Sequence, residues 1–215
     1  MNQKIRVSCM GDSITFGLMA TCPENSYPSN LQSMLGDNYC VSNFGISGAT
    51  VINDYEPVSD RYLPYTKTDE YKNAMESCPD IAILMLGMND ANPTHHFNEL
   101  SGGAISEYYL GFYAGILSGI IDNIKNLPAS PMVYLVKTTQ MRRKVEDGFE
   151  PDYVKHFTDN LDKLRQIQEK IAAEKNINLI DTNDDMQKDS YYCDGCHLTD
   201  EGYRKLAESI MKNLI

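Results

Sequence analysis

The sequence predicts an α/β protein, a three-layer α/β/α sandwich built around a central parallel sheet. Short apolar runs alternate with helical patterns about five times along the chain, the arrangement expected of helices covering both faces of a parallel sheet. The run at 80–86 (Asp-Ile-Ala-Ile-Leu-Met-Leu) is apolar almost throughout and is bounded by Pro79 and Gly87. A strand buried on both faces reads this way, whereas a half-exposed strand alternates. Residues 153–175 space Phe157, Leu161, Leu164, Ile167 and Ile171 three or four apart. That is the apolar stripe of a helix whose other face carries Arg, Lys and Glu.

The elements follow in order. Residues 4–10 form the first strand, and the chain turns at Gly11. A cluster of Pro23, Asn25, Ser26 and Pro28 connects it to a helix over 29–35 that stops at Gly36. Residues 39–44 form the second strand and 45–50 a loop at its carboxyl end. The polar stretch 54–78 holds Tyr55, Tyr62, Tyr65 and Tyr71, with a short helix over 68–77. The central strand at 80–86 leads into a long loop through Pro93, His95, His96 and Gly102-Gly103; loops of this length commonly carry function. Residues 106–126 form a helix closed by Pro128, 131–136 the fourth strand, 137–150 a second polar loop and 177–180 the fifth strand. Thr199 caps the last helix, and Asp200 and Glu201 sit in its first turn, where the helix dipole favours negative charge. No repeat interrupts the pattern, and 1–215 reads as a single domain.

A chain of this length buries roughly 70% of its unfolded surface, so it needs no disulfide staples. Its net charge of -11 opposes binding to nucleic acid or to anionic membranes, both of which call for a basic patch. No apolar run approaches the ~18 residues of a membrane helix. The first apolar run is short, contains Arg6 and lacks the centre of a signal peptide. A cytoplasmic location is expected, in which Cys9, Cys22, Cys40, Cys78, Cys193 and Cys196 stay reduced. Cys9 and Cys40 fall in strands and read as small core residues.

The chemistry concentrates at the end of the first strand, in Met10-Gly11-Asp12-Ser13-Ile14-Thr15-Phe16-Gly17. In open α/β sheets, ligands bind at the carboxyl ends of strands. A serine hydroxyl there is a weak nucleophile until a base and oxyanion donors join it. Asp194-Gly195-Cys196-His197 places an acid three residues before a histidine, so one loop can present both. Between the two ends stand Asn43-Phe44-Gly45-Ile46-Ser47-Gly48 and Gly87-Met88-Asn89-Asp90. Singly, these residues have ordinary readings: Ser13 as a helix N-cap, Asp194 in a turn, Gly48 and Asn89 in loops that tolerate positive φ.

Together, and in this order, the four blocks resemble the GDSL/SGNH hydrolase family of esterases and acylhydrolases, with the resemblance running from Gly11 to His197. It implies a flavodoxin-like strand order, 2-1-3-4-5. It also implies Ser13 as nucleophile, His197 as base and Asp194 as the acid that orients it. The oxyanion hole would combine the N–H groups of Ser13 and Gly48 with the Asn89 side chain. Asp12 would hold the first turn, with Asp90 similarly structural, and no metal or cofactor is implied.

Other patterns compete. Gly45-Ile46-Ser47-Gly48-Ala49 approaches the G-x-S-x-G elbow and offers Ser47 as a nucleophile, but has Ala in place of the last Gly and no clear helix after it. Cys193-Asp194-Gly195-Cys196-His197 matches the haem-attachment pattern C-x-x-C-H, which would require export and claim the same histidine. His95-His96 supply no second ligand pair for zinc. A Cys193–Cys196 disulfide would act directly on the acid/base loop. For the substrate, 14 Tyr against 6 Phe, several of them at 54–71, suit sugar faces, and no long apolar lid is evident. A small acetyl-like ester of a carbohydrate is the first expectation. The alternatives are a lysophospholipase or thioesterase on longer chains, and a non-catalytic carbohydrate-binding protein that keeps the fold; labelling of Ser13 by a fluorophosphonate separates enzyme from binder.

Overall fold

The computed structural model describes residues 4–52, 63–96 and 102–214. Five strands, β1 (Ile5–Gly11), β2 (Tyr39–Gly45), β3 (Ile81–Met85), β4 (Met132–Val136) and β5 (Asn178–Ile180), form one sheet. Every pairing is parallel and the order is β2-β1-β3-β4-β5, as the family resemblance implied. In β1, Val7, Cys9 and Met10 are buried; in β3, Ala82, Ile83, Leu84 and Met85 are. This agrees with the unbroken apolar run of β3. Gly11 stands opposite Gly45 on one side and Met85 on the other. The carboxyl ends of three strands therefore lie side by side, and β1 is where the strand order reverses, the usual place for a ligand crevice.

Helices α1 (Tyr27–Leu35), α2 (Asp69–Glu76), α3 (Glu107–Lys125), α4 (Pro151–Lys175) and α5 (Asp200–Leu214) flank the sheet. Helix α1 packs on α5, and α3 on α4. Among the described residues, no helix is long and apolar enough to cross a membrane. Local chemistry sets the starts. Thr68 Oγ1 accepts the Tyr71 N–H at 3.1 Å, Ser106 Oγ the Tyr109 N–H at 3.2 Å, and Thr199 Oγ1 the Gly202 N–H at 3.2 Å. Pro28, expected in the connection, lies inside the first turn of α1. The N–H it lacks would have no intrahelical partner there.

Three other expectations change. Single helical turns cover Ser13–Phe16 and Met88–Ala91, and a two-residue parallel ladder joins Ala49–Thr50 to Leu63–Pro64. The loops expected at 45–50 and from Met88 onward thus contain short regular pieces, each too short to show a period in the sequence. Cys9 is buried as expected but Cys40 is exposed, because β2 is an edge strand. Tyr65 is fully buried, its hydroxyl donating to Phe44 O at 2.7 Å, and Tyr71 packs edge-on against it at 5.6 Å. These two rings serve packing rather than a sugar face; Tyr55 and Tyr62 lie outside the described residues.

Backbone meets backbone closely at Gly45, where a Cβ would lie 2.2 Å from the backbone N of Phe16 and 2.6 Å from the carbonyl carbon of Thr15. At Gly119, inside α3, a Cβ would meet nothing within 4 Å. Gly45→Ala is expected to lower the unfolding free energy by about 3 kcal/mol. Gly119→Ala should raise it by roughly 0.5–1 kcal/mol. Urea denaturation followed by circular dichroism measures both, and equal effects would contradict the packing described.

Candidate active site

The site begins with a turn too tight for any side chain at its first residue. A Cβ on Gly11 would stand 2.4 Å from Met85 O and 2.2 Å from Thr15 Oγ1. Asp12 Oδ1 then accepts the Ile14 N–H at 3.0 Å and caps the single turn at Ser13–Phe16, which Gly17 ends at φ 94. The capping role that a serine could have taken thus falls to Asp12, and Ser13 becomes the first helical residue with its hydroxyl free for another partner. Asp12 is 1% exposed, and burial raises its carboxyl to about 7.

That partner is His197. Ser13 Oγ lies 3.0 Å from His197 Nε2, and His197 Nδ1 lies 2.9 Å from Asp194 Oδ2. An ionised carboxylate only accepts, so the imidazole proton sits on Nδ1 and Nε2 presents its lone pair to the serine hydroxyl. Asp194 Oδ1 accepts two backbone N–H groups, from Cys196 at 3.0 Å and His197 at 2.7 Å. Burial pushes the Asp194 carboxyl up, but these N–H groups and the imidazole outweigh it and hold the group below its ordinary range. The loop therefore anchors one oxygen of its own acid. Chemically, the chain of bonds can draw a proton from Ser13 Oγ and stabilise the imidazolium that forms.

Gly48 and Asn89 lie at the same edge of the sheet. Asn89, in the turn Met88–Ala91 after β3, donates from Nδ2 to Ala49 O at 2.9 Å. This bond fixes the amide and leaves its second N–H available. Gly48 has φ 83, and a Cβ there would meet nothing within 4 Å. That positive φ favours glycine, and no neighbouring protein atom crowds the position. Asp90 ties the two segments together. Fully buried, it accepts the N–H groups of Val51 (2.9 and 3.1 Å) and Ile52 (3.1 Å) and the Tyr109 hydroxyl (3.2 Å). Burial raises it to about 6.

The competing candidates stand elsewhere. Ser47 is exposed in the turn before Gly48, while both ring nitrogens of His197 are engaged by Ser13 and Asp194. His96 is buried, its Nε2 2.5 Å from Asp90 O and its ring edge-on to Tyr109 at 4.4 Å; burial lowers it to about 4. Cys193 is exposed and Cys196 buried, both as free thiols, with burial raising Cys196 to about 12. Sequence reasoning missed Arg143, whose Nε donates to Asp194 O at 3.2 Å. It lies in a polar loop with no periodicity or motif to single it out.

A five-stranded parallel sheet with helices on both faces, its site loops meeting at the carboxyl edge, is the SGNH hydrolase fold. The chain belongs to the GDSL-like lipase/acylhydrolase family, which matches residues 9–205. An acetylxylan esterase from Xylanibacter ruminicola is 28% identical over 218 aligned residues, spanning 96% of this chain and 42% of that protein. This chain is thus about two fifths the length of that relative. A carbohydrate acetylesterase from Sinorhizobium meliloti shares the fold with a TM-score of 0.71 at 22% identity, covering 98% of each chain. The M. smegmatis aryl esterase does so with a TM-score of 0.69 at 18% identity, covering 97% of this chain and 99% of its own.

The Asp12 carboxyl gives a pH prediction. Its pKa in the folded protein, about 7, lies above the ordinary 3.8, so the folded state holds the proton more tightly. The stability it contributes is complete below about 4 and is lost as pH rises through about 7. Asp12→Asn keeps an oxygen for the Ile14 N–H and never carries the buried charge. Relative to wild type, the variant should gain about 1 kcal/mol or more in unfolding free energy between pH 5 and pH 8. Denaturation at both pH values measures the difference; a variant that loses ground with rising pH contradicts it.

Proposed function

We propose that the chain is a serine esterase that removes small acyl groups, acetyl above all, from a carbohydrate through an acyl-enzyme on Ser13. The observation that carries this reading is the hydrogen-bonded chain from Ser13 Oγ through His197 to Asp194. In the proposed reaction, Ser13 Oγ attacks the ester carbonyl carbon while its proton passes to His197 Nε2. The N–H groups of Ser13 and Gly48 and the free Nδ2–H of Asn89 receive the oxyanion. The bond to the alcohol oxygen then breaks, and the proton on His197 goes to that oxygen. Water, deprotonated by the same imidazole, attacks the acyl-enzyme and frees Ser13.

The carbohydrate substrate is supported by the acetylxylan esterase relative, and more weakly by the acetylesterase neighbour, whose likeness is one of fold. One observation favours a second reading. A cavity of about 570 Å³ beside the Ser13 turn is lined by Phe16, Leu18, Met19, Ala20 and Pro23. Phe16 and Met19 are each 53% exposed, so a longer acyl or aryl group would find apolar surface there.

Ser13→Ala is expected to lower kcat by about four orders of magnitude or more with folding unchanged, while Ser47→Ala retains activity. Steady-state kinetics on an activated acetyl ester, with circular dichroism as the folding control, decides this; a dead Ser47→Ala enzyme beside an active Ser13→Ala enzyme reverses the assignment. Asn89→Ala should lower kcat by ~100- to 1000-fold with KM nearly constant, because its donor acts on the transition state. The acyl group is read from esters of increasing chain length at matched solubility. Acetyl is expected to be fastest, and a clear preference for palmitoyl would favour the second reading.

A further inference from the structure

The Asp194 side chain is 38% exposed, against 18% for the imidazole it orients. Water can compete for a carboxylate so placed, and the angle it presents to His197 must be held by something other than burial. We propose that Arg143 is the positioning residue that holds it; the inference rests on the assignment of Asp194 as the acid of the triad.

Arg143 touches the acid at two points. Its Nε donates to the backbone oxygen of Asp194 at 3.2 Å, and its Nη2 lies 3.6 Å from Oδ2, the oxygen that also faces His197 Nδ1. The guanidinium is itself held. Nη1 donates to the Tyr153 hydroxyl, and the central carbon stands 5.0 Å from the Phe149 ring centre and 5.9 Å from that of Tyr153. Those rings stack on each other at 5.8 Å, and Tyr153 packs edge-on against Phe157 of α4, which is 2% exposed. A rigid path therefore runs from the core through Tyr153 and Arg143 to the acid. The loops also interlock: Arg142 N–H donates to Gly195 O at 2.5 Å, and a Cβ on Gly195 would stand 2.6 Å from Arg143 N. Only a planar fork can donate to the carbonyl, face the carboxylate and lie against an aromatic ring together. A lysine would supply charge without the geometry.

The test is a double-mutant cycle on p-nitrophenyl acetate, using wild type, Arg143→Ala, Asp194→Asn and the double variant. Arg143→Ala is expected to lower kcat by about tenfold with KM within about twofold, since a displaced orienter weakens the base rather than substrate binding. In the Asp194→Asn background the same change should cost less than about twofold, because the group it acts through is gone. Guanidinium chloride at a few millimolar should restore part of the lost kcat to Arg143→Ala and none to Asp194→Asn. Arg143→Lys, which keeps the charge and the bulk, should fall between wild type and Arg143→Ala, and it replaces the alanine variant in the cycle if that one does not fold. Equal losses in both backgrounds, an unchanged kcat, or a change confined to KM each overturn the positioning role while leaving the triad in place. An Asp194→Asn enzyme with wild-type kcat overturns the acid assignment and the proposal with it.

Discussion

A carboxylate that water would solvate well is held at 1% exposure, capping the Ile14 N–H, and the position of Ser13 follows from it. The Asp12–Ile14 bond starts a helical turn directly after β1, which leaves Ser13 at its first position. Around it the backbone is packed too closely for side chains at Gly11 and Gly45. The turn is therefore clamped between β2 and β3, and the serine hydroxyl emerges in one direction. The burial that raises Asp12 is the counterpart of this rigidity: the fold accepts a poorly solvated carboxyl in return for a fixed serine.

Three aspartates near the site have diverged by environment alone. Asp12 and Asp90 are raised by desolvation, and each works as an acceptor that pins backbone. Asp194 is partly solvated, bonded to two N–H groups and an imidazole, and lowered. A group that must stabilise an imidazolium needs to stay charged, and of the three it is Asp194, the one held below its ordinary range, that touches the imidazole. The parallel sheet makes the meeting possible. Ser13 and His197 are 184 residues apart, yet both stand on loops at the same edge.

The fold was legible because β3 is an unbroken apolar run between Pro79 and Gly87 while α4 carries a long helical period, which separates a two-face buried strand from an amphipathic helix. The proline in α1 and the single turns at Ser13–Phe16 and Met88–Ala91 were not, since one turn shows no period and a proline reads alike before a helix and within its first turn. Of the candidate site, Ser13, Asp194 and His197 could be named from their blocks, and the structure places them in hydrogen-bonded sequence. The glycine at position 48 stands at φ 83, the positive φ that a loop glycine tolerates. The clasp of Arg143 on Asp194 joins loops 51 residues apart, and no local pattern encodes it.

If Ser13 carries the acyl group between the two half-reactions, the acyl-enzyme can be trapped on it. The enzyme would be mixed with p-nitrophenyl acetate, quenched in acid within milliseconds, digested and examined by mass spectrometry. One acetyl group per chain is expected, on Ser13, and none in Ser13→Ala. An acetyl group on Ser47, or turnover with no adduct on Ser13 at any quench time, would contradict it.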